Sequence, residues 1–82
     1  MGALVRVLLK SAWGAEDPTR AAFVFQHANA FVELGHECRI FLLGEAVATM
    51  LDEVADGLEP IGWPPLRETL VETFAHRIPI HV

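Results

Sequence analysis

The sequence predicts an α/β protein built around a parallel sheet. Three observations predict it: short apolar runs of strand length, amphipathic segments between them, and the alternation of the two. The order reads strand, helix, strand, helix, helix, strand, with right-handed crossovers expected between parallel strands. Residues 1–82 read as a single domain, with no internal repeat, low-complexity tract or linker.

Ala3 to Lys10 (ALVRVLLK) is a nearly continuous apolar run, as suits a strand covered on both faces. Arg6 interrupts it. A bare buried guanidinium is very costly, so Arg6 is expected beside a carboxylate or near an open edge. Ser11 to Glu16 is loop, and Asp17-Pro18 opens a helix with an N-cap acceptor followed by proline at the first helical position. That helix is expected to run to about Leu34 and to end at Gly35. Cys38 to Leu43 is the second strand.

Glu45 to Asp56 places Val47, Met50, Leu51 and Val54 at i, i+3, i+4 and i+7, the pattern of one amphipathic helix. Pro64-Pro65 opens a third helix, expected to turn Leu66, Leu70, Val71 and Phe74 inward and to leave Arg67, Glu68 and Glu72 to water. His76-Arg77 falls in its last turn, where positive charge suits the dipole. Ile78 to Val82 closes the sheet as the third strand.

Hydrophobic residues make up 52% of the 82 residues, high for so small a domain, and this predicts surfaces hidden by partner subunits. No apolar run approaches the roughly 20 residues that span a bilayer, and the N-terminus lacks a signal-peptide pattern. A cytoplasmic protein without a membrane contact is the expectation. The net charge is −5 and the six Lys and Arg residues are scattered along the chain, so nucleic acid is not an expected partner. The single cysteine permits no internal disulfide.

In a parallel sheet, the loops leaving the carboxyl ends of the strands build the ligand rim. The candidates there are Ser11, Trp13 and Gly14 in the first loop, Asp17 at the head of the first helix, Glu45 at the head of the second, and His81 beside the end of the third strand. Free N–H groups and the helix dipole favour an anion at such a place and lower the pKa of a nearby thiol. Neither Gly-x-Gly-x-x-Gly nor the Walker pattern is present, and no cofactor is expected. Cys38 opens the second strand at the opposite end, roughly 17–20 Å from the rim, which favours a structural, buried thiol. The histidines (His27, His36, His76, His81) show no zinc-ligand spacing among themselves or with Cys38, so no metal site is expected. Trp63-Pro64-Pro65 reads equally as core cover or subunit contact.

The first helix carries the partner signal. Ala21, Val24, Phe25, Ala28, Phe31 and Val32 form a broad stripe for the sheet. Phe23, His27, Ala30 and Leu34 form a second stripe, and Gln26, Asn29 and Glu33 a narrow polar strip. A helix apolar on nearly all sides is a buried helix, so the second stripe is expected to meet another subunit.

Taken in order, the apolar first strand, Glu16-Asp17-Pro18, the alanine-rich helix, Gly35-His36-Glu37 and Ile40-Phe41-Leu42-Leu43-Gly44-Glu45-Ala46-Val47 resemble the DsrE/DsrF family of sulfur-relay proteins, which includes the TusD and YchN types. The resemblance covers most of the chain. It implies a three-layer α/β/α fold around the parallel sheet, trimers or hexamers of identical or related DsrE/F-type subunits, and a sulfur-carrier protein as a further partner. In sulfur-carrying members, a cysteine just after a short apolar strand accepts sulfur as a persulfide. Ile78 to Val82 corresponds to that strand, and the cysteine would be the first residue after Val82, outside this sequence. The native polypeptide is accordingly expected to extend past Val82 and to supply a further strand or helix. Some relatives lack the cysteine and serve as structural subunits, so a non-catalytic interaction subunit is the alternative. A small flavodoxin-like ligand binder is a third reading.

Overall fold

A computed structural model describes residues 4–82, so Ala3 of the expected first strand lies outside the described residues. Strands β1 (Arg6–Ser11), β2 (Glu37–Leu42) and β3 (Ile80–His81) form one parallel sheet in the order β1-β2-β3. Helix α1 (Pro18–Glu33) joins β1 to β2. A 3-10 helix (Gly44–Met50), α2 (Asp52–Gly57) and α3 (Leu66–Ala75) join β2 to β3. Each strand is added on the same side of the one before, so crossovers of one hand place every helix on one face of the sheet.

Burial follows from that placement. Cys38, Ile40 and Leu42 of β2 are buried and share one core with Phe25 of α1 and with Leu66 and Leu70 of α3. The alternate residues Glu37 and Arg39 are exposed, as period-two alternation requires when one face is open. The described residues thus make two layers, not three. Leu8 is 53% exposed on that open face, although the run around it is composed as for a strand covered twice. Arg6 sits at this face on an edge strand, its Nε 3.1 Å from the Glu37 carboxylate, so both sequence expectations for it are met.

The first helix begins and ends as its sequence requires. Asp17 caps it by accepting the Arg20 N–H at 3.0 Å, and Pro18 occupies the first turn. At its end the His36 N–H donates to the Phe31 carbonyl at 3.0 Å and the Gly35 N–H to Val32 at 2.9 Å, with Gly35 at φ 91°. This is a Schellman cap with glycine in the left-handed position. Helix α3 ends the same way: the Ile78 N–H donates to Thr73 and the Arg77 N–H to Phe74, at 3.4 and 3.0 Å. Its left-handed residue is Arg77, at φ 57°.

Three expectations are corrected. The single helix over Glu45–Asp56 is two pieces, broken at Leu51, whose backbone is extended. The first piece is a 3-10 helix with three residues per turn, so Ala46 and Thr49 align inward while Val47 and Leu51 are exposed. The Thr49 hydroxyl donates to the Ala46 carbonyl at 2.6 Å and reinforces the tight turn. Helix α3 is rotated from its expected face: Leu66 and Leu70 are buried with Thr69 and Thr73, while Val71 and Phe74 are exposed. The cause is α1, whose Asn29, in the polar strip, faces α3 instead of water. Asn29 is buried and its Nδ2 donates to the Thr69 carbonyl at 3.3 Å, and the Thr73 hydroxyl donates to the same carbonyl at 3.1 Å. Finally, β3 pairs over Ile80 and His81 only, a shorter strand than Ile78–Val82. Arg67 ties α3 to α2 through Asp52 and Asp56, at 2.8 and 2.7 Å.

Candidate functional site at the carboxyl rim

The rim is assembled where β1 and β2 leave the sheet. Ser11 is buried at the end of β1; its carbonyl accepts the Leu43 N–H at 2.9 Å and its Oγ accepts the Trp13 N–H at 3.3 Å. Gly14 then passes directly under the start of the 3-10 helix. A Cβ placed on Gly14 would stand 2.8 Å from the Glu45 carbonyl carbon, so only glycine permits this approach. The Gly14 carbonyl accepts the Asp17 N–H at 3.1 Å, which turns the chain into α1. Ser11, Trp13, Gly14, Asp17 and Glu45 therefore belong to one connected rim.

Trp13 is held over the head of α1, with the Arg20 guanidinium 4.7 Å from its ring centroid. A cavity of about 200 Å³ lies beside it, lined by Ser11, Trp13, Arg20, Phe23, Val24 and His27 among others. It joins two groups that the sequence kept apart, since Phe23 and His27 belong to the expected subunit contact. All four of those contact residues, Phe23, His27, Ala30 and Leu34, are exposed, and Leu34 is 74% exposed. The Phe23 and His27 rings stack with centroids 5.5 Å apart.

His81 is not brought to this loop cluster. Its register partner is Phe41, so it lies on the open face, whereas Ser11 pairs with Leu42 on the helical side. Its ring centroid is 6.4 Å from that of Phe41. Strand β2 separates β3 from β1, which sets the two outer strands roughly 9–10 Å apart. The expected free N–H groups are also partly occupied. The Glu16 carboxylate accepts the Gly14 N–H and Asp17 accepts that of Arg20, so two carboxylates stand where an external anion was expected.

Cys38 is buried at the amino end of β2, level with Val7, and burial pushes its thiol pKa up. A raised pKa disfavours the thiolate that sulfur chemistry needs.

Sequence reasoning passed over one cluster. Glu33 at the end of α1 meets Glu72 of α3 and His76, which caps α3, with one ligand-type atom from each mutually within 4.8 Å. The His76 Nε2 is 3.8 Å from both carboxylates. A hydrogen bond shared with Glu33 holds the Glu72 carboxyl above the usual carboxylate range. The i, i+4 spacing of Glu72 and His76 was the available signal, and it combines a carboxylate with a histidine instead of two histidines.

Fold and site together define a small α/β domain with a three-strand parallel sheet and a rim closed by loop-to-loop backbone contact. No family model matches the chain, and no curated protein or solved structure does. Among the described residues, no helix is long and apolar enough to cross a membrane.

Proposed function

We propose that this chain is a DsrE/DsrF-like sulfur-relay subunit, in which sulfur is carried as a persulfide on a cysteine just after Val82. The observation that carries the reading is the parallel pairing of β3 with β2, which directs the residue after Val82 to the same end of the sheet as the Gly14–Glu45 contact. In the transfer step the cysteine thiolate attacks the outer sulfur of a donor persulfide. A new S–S bond forms, the donor S–S bond breaks, and the donor thiolate leaves, so no external oxidant or reductant is consumed. Cys38 takes no part.

The same reading gives the open sheet face a role. Leu8 and Phe41 lie on it, and in a three-layer DsrE/F-type arrangement further elements cover it. The exposed stripe Phe23, His27, Ala30 and Leu34 is the proposed contact with identical or related subunits, in a trimer or hexamer. The non-catalytic alternative is favoured by one observation, the occupation of the loop and helix N–H groups by Glu16 and Asp17. Incubation of the native gene product with glutathione persulfide, followed by alkylation and intact mass measurement, separates the two readings. Gain of one transferable sulfur atom supports the relay. Retention of the unmodified mass under conditions that load a control persulfide acceptor supports the interaction subunit.

A further inference from the structure

We propose that the amino end of the sheet holds a second site, which binds a small amphiphilic anion with a phosphate or carboxylate head. A groove of about 660 Å³ opens there, within the size range of small-molecule sites. It exists because β3 is short. Pairing of β2 with the last strand begins where the Ile40 N–H donates to the Pro79 carbonyl at 2.9 Å. Before that point Cys38 and Arg39 part from Arg77 and Ile78, and the gap is the groove.

Charge is concentrated in it against the trend of the chain. The protein carries −5 overall, yet Arg6, Arg39 and Arg77, three of its six basic residues, line this one groove with a single carboxylate, Glu37. Residues scattered in sequence are thus gathered by the fold. The Arg6 charge is answered by Glu37 at 3.1 Å. His76, also in the lining, is answered by Glu33 and Glu72, each 3.8 Å away. Among the described residues, Arg39 and Arg77 make no ion pair. Two guanidiniums without counter-ions, sharing one concave surface, suit bidentate capture of a phosphate or carboxylate. The remaining walls include Val7, Leu8, Val32, Ile78 and Pro79, which suit an apolar body attached to that head.

The backbone supplies a second, independent observation. Helices α1 and α3 end in the same Schellman hydrogen-bond pattern, yet α1 places Gly35 in the left-handed position and α3 places Arg77 there. Arg77 is the one non-glycine at positive φ among the described residues. Glycine is the favoured residue at that position, so arginine works against folding and sets its guanidinium in the groove lining.

The strain makes the proposal separable from misfolding. Phenyl phosphate is the probe, benzyl alcohol the neutral control, and isothermal titration of the full-length protein the readout. Saturable phenyl phosphate binding that weakens with added salt is expected, with no comparable binding of benzyl alcohol. Arg77→Gly should raise the melting temperature and weaken binding by about tenfold or more, and Arg39→Gln should weaken it similarly. Absence of saturable binding at millimolar phenyl phosphate, equal binding of benzyl alcohol, or unchanged affinity in both variants would each overturn the assignment.

Discussion

The backbone of Gly14 lies against the carbonyl of Glu45, so the loop after β1 and the start of the 3-10 helix after β2 form one continuous surface. The closest approach is backbone to backbone. A methyl group on Gly14 meets backbone, which cannot rotate out of the way. Gly14→Ala is therefore expected to lower stability by roughly 1–3 kcal/mol, the usual range for overpacking. Urea denaturation measures it, and an unchanged midpoint would show that the rim is looser than described.

Asp17 tests the beginning of α1. Its carboxylate accepts the Arg20 N–H at 3.0 Å, and Asp17→Ala removes that acceptor. A loss of about 0.5–2 kcal/mol is expected, with Asp17→Asn close to the parent because asparagine caps equally well. Equal losses in the two variants would locate the effect in charge instead of capping.

The Glu33–Glu72 pair gives a pH dependence with a definite sign. Glu72 holds its proton above the usual carboxylate range because it shares a hydrogen bond with Glu33. As pH rises through the window above that range, the unfolded chain releases the proton first. The folded state then binds more protons than the unfolded one, so stability falls with rising pH. His76, which faces both carboxylates, acts on Glu72 in the opposite sense and partly offsets this. Glu72→Gln should match the parent near pH 3 and exceed it at pH 7 in thermal unfolding. A variant less stable than the parent at pH 7 would reverse the sign of the interaction.

The outer stripe of α1 bears on assembly. Phe23 and Leu34 are exposed, and each forgoes roughly 1.5–3 kcal/mol of burial while in water. Self-association through this stripe is expected, and Phe23→Glu should disperse the oligomer without touching the sheet-facing stripe. Light scattering coupled to size-exclusion chromatography decides it. A monomeric parent, or an oligomer unaltered in Phe23→Glu, would contradict the assignment.

Local chemistry was legible where a single residue type decides the backbone. Asp17-Pro18 and Gly35 mark both ends of α1, and the β2 sequence shows its buried positions by alternation. Tertiary choices were less legible. Val71 and Phe74 are more apolar than Thr69 and Thr73, so hydropathy alone turns α3 the wrong way. The threonines win because they sit beside Asn29 at the seam with α1, where the Thr69 carbonyl takes two donors. The break at Leu51 was hidden because Val47, Met50, Leu51 and Val54 fit α-helical spacing, whereas the 3-10 turn buries Ala46 and Thr49 instead. For the site, the loop Ser11–Gly14 was readable from topology, but the face of His81 depended on a register that begins only at Ile40. Arg77 was unreadable as a left-handed residue, since nothing in Phe74-Ala75-His76-Arg77 marks a cap.

On the proposed sulfur-relay function, sulfur is carried at the carboxyl end of the sheet and not on Cys38. Peptide-resolved mass spectrometry of the native gene product, loaded with glutathione persulfide and alkylated while folded, tests it most directly. Persulfide is expected on a peptide following Val82, with the Cys38 peptide unmodified until the protein is unfolded. Persulfide on Cys38 in the folded protein, or on no cysteine at all, would contradict it.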